Sequence, residues 1–313
     1  MDAHRLYVVG GNNVDISATS RTPLVYGDSN PGKVRTGMGG VGRNIAENLA
    51  RLGWRVSLVT AFGDDHFSRI VTAHARQTGI DLTHSLHVPG ATGCVYICVN
   101  DADGEMAVAV NDMALCALLT PEFLTSKLDV LNEAEAIVLD ANLDEAAILM
   151  LARQCKPPVF ADAVSTKKAG KLMAALPYLA GLKVNRMELE LLTGVHITAE
   201  SDILSAAGLL HAQSVRYVLV TLGGEGAFAF NGAQHAFAPI IQGPVVNTTG
   251  CGDAFTAAAV TGILGRQALP YVLRAGLAAA SLCARSENAV SEMLTEKLLA
   301  DTVRSAQNEE ANS

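Results

Sequence analysis

The sequence predicts an α/β protein, a mostly parallel sheet with helices on both faces, and three observations carry that prediction. From about residue 40 onward, short β-rich runs alternate with helical patterns, as βα units do. The later runs "AIVLDAN", "PVFADAV", "LKVN" and "RYVLVTLG" read as buried strands covered by helices. Half of the 313 residues are hydrophobic and only 17% are charged, which is enough to bury a large core.

The individual elements follow in order. "RNIAENLARLG" sets Ile45, Leu49 and Leu52 on one helix face, with Gly53 as its stop. "RVSLVTAFG" reads as a strand and "HFSRIVTAHARQTG" as a helix packed through Phe67, Ile70, Val71 and Ala75. Residues 91–111 break the alternation, because "ATGCVYICVNDADGEMAVAVN" is two strands joined by the turn "DADG". With the segment from Val14 to Thr36 this hairpin forms a small separate sheet, either a lid over the ligand cleft or an edge of the main sheet. "GDAFTAAAVTGILG" and "YVLRAGLAAASLCAR" are expected as buried helices, and the terminal "VRSAQNEEANS" as frayed.

Charge excludes several functions. The net charge is −8 and no Lys/Arg-rich run exists, so neither nucleic acid nor an anionic membrane is an expected partner, and small molecules are. Cys94, Cys98, Cys116, Cys155, Cys251 and Cys283 are scattered, with no C-x-x-C pair and no His at ligand spacing, which suits a reducing cytoplasm. The start "MDAHRLYVVGGNN" lacks the features of a signal peptide, and the apolar stretches at 254–265 and 275–284 are too short to span a membrane.

Five motifs can carry chemistry. In "NTTGCGDAF", the N–H groups of Gly250, Cys251 and Gly252 converge on an anion at a helix start; Asp253 is then a general base or a helix cap. "VVGGNNVDI" ends a strand and sets Asn13 and Asp15 on one face, suited to vicinal hydroxyls or to a satisfied turn. "KVNRMELE" brings Asn185 and Glu188 onto one face, where they organise water around Mg²⁺ or form a solvated helix start. "VTLGGEGAF" offers Thr221, Gly223 and Gly226 in a tight connection that a nucleotide can approach. "GMGGVGRN", Gly37 to Asn44, matches the dinucleotide pattern G-x-G-x-x-G, with Asp64 and Asp65 about twenty residues on. "GDSNPGKV", Gly27 to Val34, has P-loop spacing but places Val34 where the metal-binding hydroxyl belongs.

Taken in order, "GGNNVD", "GGVGRNIAENLARLG", "NRMELELLTG", "VTLGGEGAF" and "NTTGCGDAF" resemble the ribokinase-like (PfkB) family of carbohydrate and nucleoside kinases. The resemblance implies one Rossmann-like domain over residues 1–313, with a β lid from about 14–37 and 91–112. It implies ATP and Mg²⁺ as cofactors, Asp253 as the base and Gly250, Cys251 and Gly252 as the anion hole. Asn13, Asp15, Gly40 and Asn44 would hold sugar hydroxyls, while Asn185, Thr221, Gly223 and Gly226 would hold ATP and Glu188 would bear on Mg²⁺ through water. Several members use K⁺, but Asn247 stands where those have Asp, and Val41 replaces the Lys of ribokinases. "YGDSNPGKV", "GGVGRNIAENLA" and "VNDM" are most similar to members acting on pseudouridine, which implies phosphorylation of its 5′-hydroxyl. Asp28, Ser29, Asn30, Asn111 and Asp112 would then read the base, and the lid would pair two copies into a homodimer. The rivals are a kinase of another nucleoside or sugar, a dinucleotide-dependent oxidoreductase, and a non-catalytic sugar sensor.

Overall fold

The computed structural model describes residues 5–311. Its main sheet has eight strands: β1 (Arg5–Val9), β4 (Arg55–Val59), β9 (Ala136–Asp140), β10 (Val159–Asp162), β11 (Gly181–Asn185), β12 (Tyr217–Thr221), β13 (Ala227–Phe230) and β14 (His235–Ala238). They lie in the order β14-β13-β12-β11-β10-β9-β1-β4, parallel except for β13 and β14. Alternation along each strand feeds two cores. Tyr7, Val9, Ile137 and Leu139 enter one, Leu6, Val8, Ala136 and Val138 the other, so both faces need helical cover.

A second sheet has the order β3-β2-β7-β8, from β2 (Asn13–Ser20), β3 (Gly32–Gly39), β7 (Val95–Asn100) and β8 (Met106–Asp112). The predicted "DADG" hairpin is therefore present, in its own sheet. "RVSLVTAFG" divides at Thr60 into β4 and β5 (Ala61–Phe62), and β5 pairs with β6 (Leu86–His87).

Three expectations need correction. Gly37, Met38 and Gly39 belong to the end of β3, a mostly exposed strand antiparallel to β2, so no buried parallel strand leads into "GMGGVGRN" as a dinucleotide site requires. Asp65 instead caps the helix His66–Thr78 through Ser68 N–H (2.9 Å), and Asp64 is paired with His87 (2.5 Å). The segment predicted to fray is helical through Ala311, within the helix Glu296–Ala311, because Leu299 and Val303 pack against the helix Leu269–Ala284; Asn312 and Ser313 lie outside the described residues. No described helix is long and apolar enough to cross a membrane.

Candidate active site

The carboxyl ends of β1, β9, β10, β11 and β12 converge where the strand order reverses around β1, the place where open α/β sheets bind ligands. Two cavities open there. One, of about 600 Å³, is lined by Asn13, Asp15, Gly40, Asn44, Asn111, Gly250, Gly252 and Asp253 among the predicted residues. The other, of about 470 Å³, is lined by Asn185, Thr221, Gly223, Gly226, Cys251 and Gly252. Gly252 lies on both, so the start of the helix Cys251–Leu264 forms the partition between them.

That helix start is built for close approach. Gly250 caps it at φ +83°, where a Cβ would lie 1.9 Å from Ala289 O; a Cβ on Gly252 would lie 2.9 Å from Lys183 Nζ. The N–H of Cys251 closes a turn on Thr248 O at 3.3 Å, while those of Gly250 and Gly252 have no acceptor among the described residues. Two open donors at a helix N-terminus, with Lys183 beside Gly252, make a suitable seat for a phosphoryl group.

Asp253 is the first acidic residue of the same helix and only 7% exposed, and its Oδ2 accepts from Asn44 Nδ2 at 2.7 Å. Burial, followed by the charge of Asp162, pushes its pKa up to about 7, against the Asn44 hydrogen bond and the Lys183 ammonium. A carboxylate poised near neutrality can accept a proton, as a general base must. Burial alone would depress the Lys183 ammonium, but Asp162, Glu188 and Asp253 outweigh it and hold its pKa above the ordinary value. Lys183 Nζ lies 3.4 Å from Asp162 Oδ2, which also accepts from Thr256 Oγ1 at 2.8 Å.

A family model described as pfkB family carbohydrate kinase matches residues 3–296. The chain belongs to the pfkB family. Kinases of the family transfer phosphate to hydroxyl groups and typically use ATP and Mg²⁺. This pfkB kinase is 35% identical over 252 residues to the pseudouridine kinase of Escherichia coli (strain K12), spanning 80% of each chain. It is 25% identical to the guanosine-inosine kinase of Exiguobacterium acetylicum, over 93% of this chain and 98% of that one. The structure of Arabidopsis thaliana ribokinase complexed with ribose and ATP superposes with a TM-score of 0.86 at 26% identity, covering 96% of this chain and 99% of that one.

The cavity beside Gly223 and Gly226 fits a nucleotide, with a glycine connection at one side and Ile240, Ile241, Phe255 and Leu277 as apolar walls. A metal fits less directly. Among the described residues no group of three or more His, Cys, Asp and Glu side chains is placed to hold an ion. Glu188 lines neither cavity and is buried rather than a solvated helix start. Its Oε2 accepts from Asn185 N–H (2.7 Å) and its Oε1 from Asn185 Nδ2 (2.9 Å), while its own N–H donates to Asn185 Oδ1 (2.9 Å). This reciprocal cap holds Asn185 at the smaller of the two cavities. Mg²⁺ bound mainly by phosphates and water is compatible with such a site, an all-protein cage is not.

Asp28, Ser29, Asn30 and Asp112 line neither cavity. Asn30 clasps its own loop, accepting from Val25 N–H at 2.8 Å and donating to Val25 O and Asp28 O, both at 3.0 Å. Asp28 accepts from Ser29 N–H (2.7 Å) and Asp112 from Ala114 N–H (3.1 Å). Sequence reasoning missed Asp162, Lys183, Asn142, Lys168 and Tyr96 on the larger cavity. A signal existed for the first two: a charge inside or ending an apolar strand, "VFAD" and "LKVN", is rarely buried without a partner or a task.

Proposed function

We propose that this kinase transfers the γ-phosphate of ATP to the 5′-hydroxyl of pseudouridine, giving pseudouridine 5′-phosphate and ADP. The observation that carries the reading is Asp253, buried on the acceptor cavity at the partition with the nucleotide cavity, with its pKa near 7. In this reading Asp253 accepts the hydroxyl proton as the oxygen attacks phosphorus in line. The Gly250 and Gly252 N–H groups and Lys183 stabilise the charge spreading over the transferred group. Asn13, Asp15, Gly40 and Asn44 hold the ribosyl hydroxyls, and Asn111 reaches the base. Pseudouridine as acceptor is supported by the 35% identity to the Escherichia coli enzyme.

The second sheet is proposed to act as the lid of a single domain and to pair two copies. Met106, Val108 and Val110 alternate along β8 and are 51–65% exposed, an apolar row that a second copy would cover. A cytoplasmic setting is supported by the six free cysteines. ADP release tested against pseudouridine, uridine, ribose, adenosine and fructose 6-phosphate decides the acceptor. The highest kcat/KM is expected with pseudouridine, and preference for ribose or adenosine would replace this reading with another kinase of the family.

A further inference from the structure

Asn44 is held from both ends. Its Oδ1 accepts from Arg43 Nη2, and its Nδ2 donates to Asp253 Oδ2. The orientation of the amide is determined by chemistry: a guanidinium has only donors, so the amide oxygen must face Arg43 and the NH₂ the carboxylate. Arg43 is itself 3% exposed and fastened by Glu47 Oε2 (2.5 Å), Met38 O (2.9 Å) and Gly39 O (3.3 Å). Glu47 also accepts from Arg51 Nε at 2.9 Å, one helical turn farther on, and His74 Nε2 lies 3.8 Å from it.

A buried Arg–Glu pair is a weak device for stability, since apolar residues of similar volume commonly serve as well or better. The contact with Asn44 gives this one a task. We infer that Arg43, anchored by Glu47, is a positioning residue that fixes the Asn44 amide as a donor to the catalytic carboxylate. Arg43 touches neither substrate nor nucleotide in this account; it acts through Asn44. A donor polarised by a cation on its oxygen favours the ionised form of Asp253, and so keeps the base available at neutral pH.

Asp253 is faced by other titratable groups as well, some of them charged. They are Asp140 at the end of β9, Asp162 in β10, Lys183 in β11, Cys251 on its own helix, and Cys283 on the helix Leu269–Ala284, while Asp15 in β2 lies across the cavity. The Arg43–Asn44 arm and Lys183 are the members of this set that favour ionisation. Loss of the arm therefore moves the acid limb of the kcat profile to higher pH.

The inference rests on Asp253 being the base, so Asp253→Asn is measured beside the test variants. The double variant Arg43→Met/Glu47→Leu removes both charges of the buried pair; Arg51, which loses Glu47, keeps its bond to Glu292 O and a side chain 23% exposed to solvent. Its acid limb is expected to rise by about one pH unit, with kcat below neutrality reduced about tenfold and the KM for ATP within about twofold. Arg43→Lys keeps a charge for Glu47 but not the fork, and should show a smaller shift in the same direction. It decides by the same readouts if the double variant fails to fold. A folded variant with the wild-type limb, beside an inactive Asp253→Asn, overturns the positioning role alone. An active Asp253→Asn overturns the reading of the base on which that role depends.

Discussion

The two cavities that meet at Gly252 are built from different materials. The nucleotide side presents glycines and apolar side chains, including Ile240, Ile241, Phe255, Leu277 and Ala280. The acceptor side presents Asp15, Lys168, Lys183, Asp162 and Asp253 together with the amides of Asn13, Asn44, Asn111 and Asn142. In the proposed function, shape and backbone grip the nucleotide on one side, and proton transfer and discrimination fall to the other. Substitutions on the two sides should therefore separate in their kinetics.

The largest effect is expected at Asp253. Asp253→Asn should lower kcat by about a thousandfold or more, with the KM for ATP nearly unchanged, in steady-state assays. The same variant should be more heat-stable than wild type at alkaline pH. The folded pKa is raised above its unfolded value, so stability declines as pH rises from the ordinary carboxylate range through about 7, and the neutral amide escapes that loss. Thermal melts should show the full gain above neutrality, a smaller one in mild acid, and none below the ordinary carboxylate range. In wild type, kcat should rise with pH through about 7 as the base deprotonates, and a profile flat across that range would break the assignment.

Next comes Lys183→Met, which removes the cation beside Gly252 and should reduce kcat by about a hundredfold. On the nucleotide side, Ala280→Leu narrows the apolar wall and should raise the KM for ATP about tenfold while leaving the acceptor KM in place. A larger rise in the acceptor KM would dissolve the distinction between the cavities. The smallest effects belong to the second sheet. Asn111→Ala should weaken the acceptor several-fold, whereas Asn30→Ala, whose amide is spent within its own loop, should leave it within about twofold.

The same contrast governs what could be read from the sequence. The nucleotide side and the helix start are local: "VTLGGEGAF" and "NTTGCGDAF" each hold their working parts within nine residues, and their glycines announce close approach. The order of strands and helices was legible for the same reason, since hydrophobic period is a local signal. The acceptor side is assembled from strand ends far apart in the chain. Asp162 and Lys183 become a pair only through the register of β10 with β11, which places Asp162 opposite Lys183. Asp28, Ser29 and Asn30 looked equipped to read a base, but the loop's own backbone groups claim the Asp28 and Asn30 side chains. The terminal helix was missed because its polar composition suggested a free end, whereas Leu299 and Val303 dock it.

The most direct test of Asp253 as the base is phosphoryl transfer from ATP to pseudouridine by Asp253→Asn, measured at saturating concentrations of both substrates. If Asp253 is the base, turnover falls by about a thousandfold or more. Turnover close to wild type would contradict it.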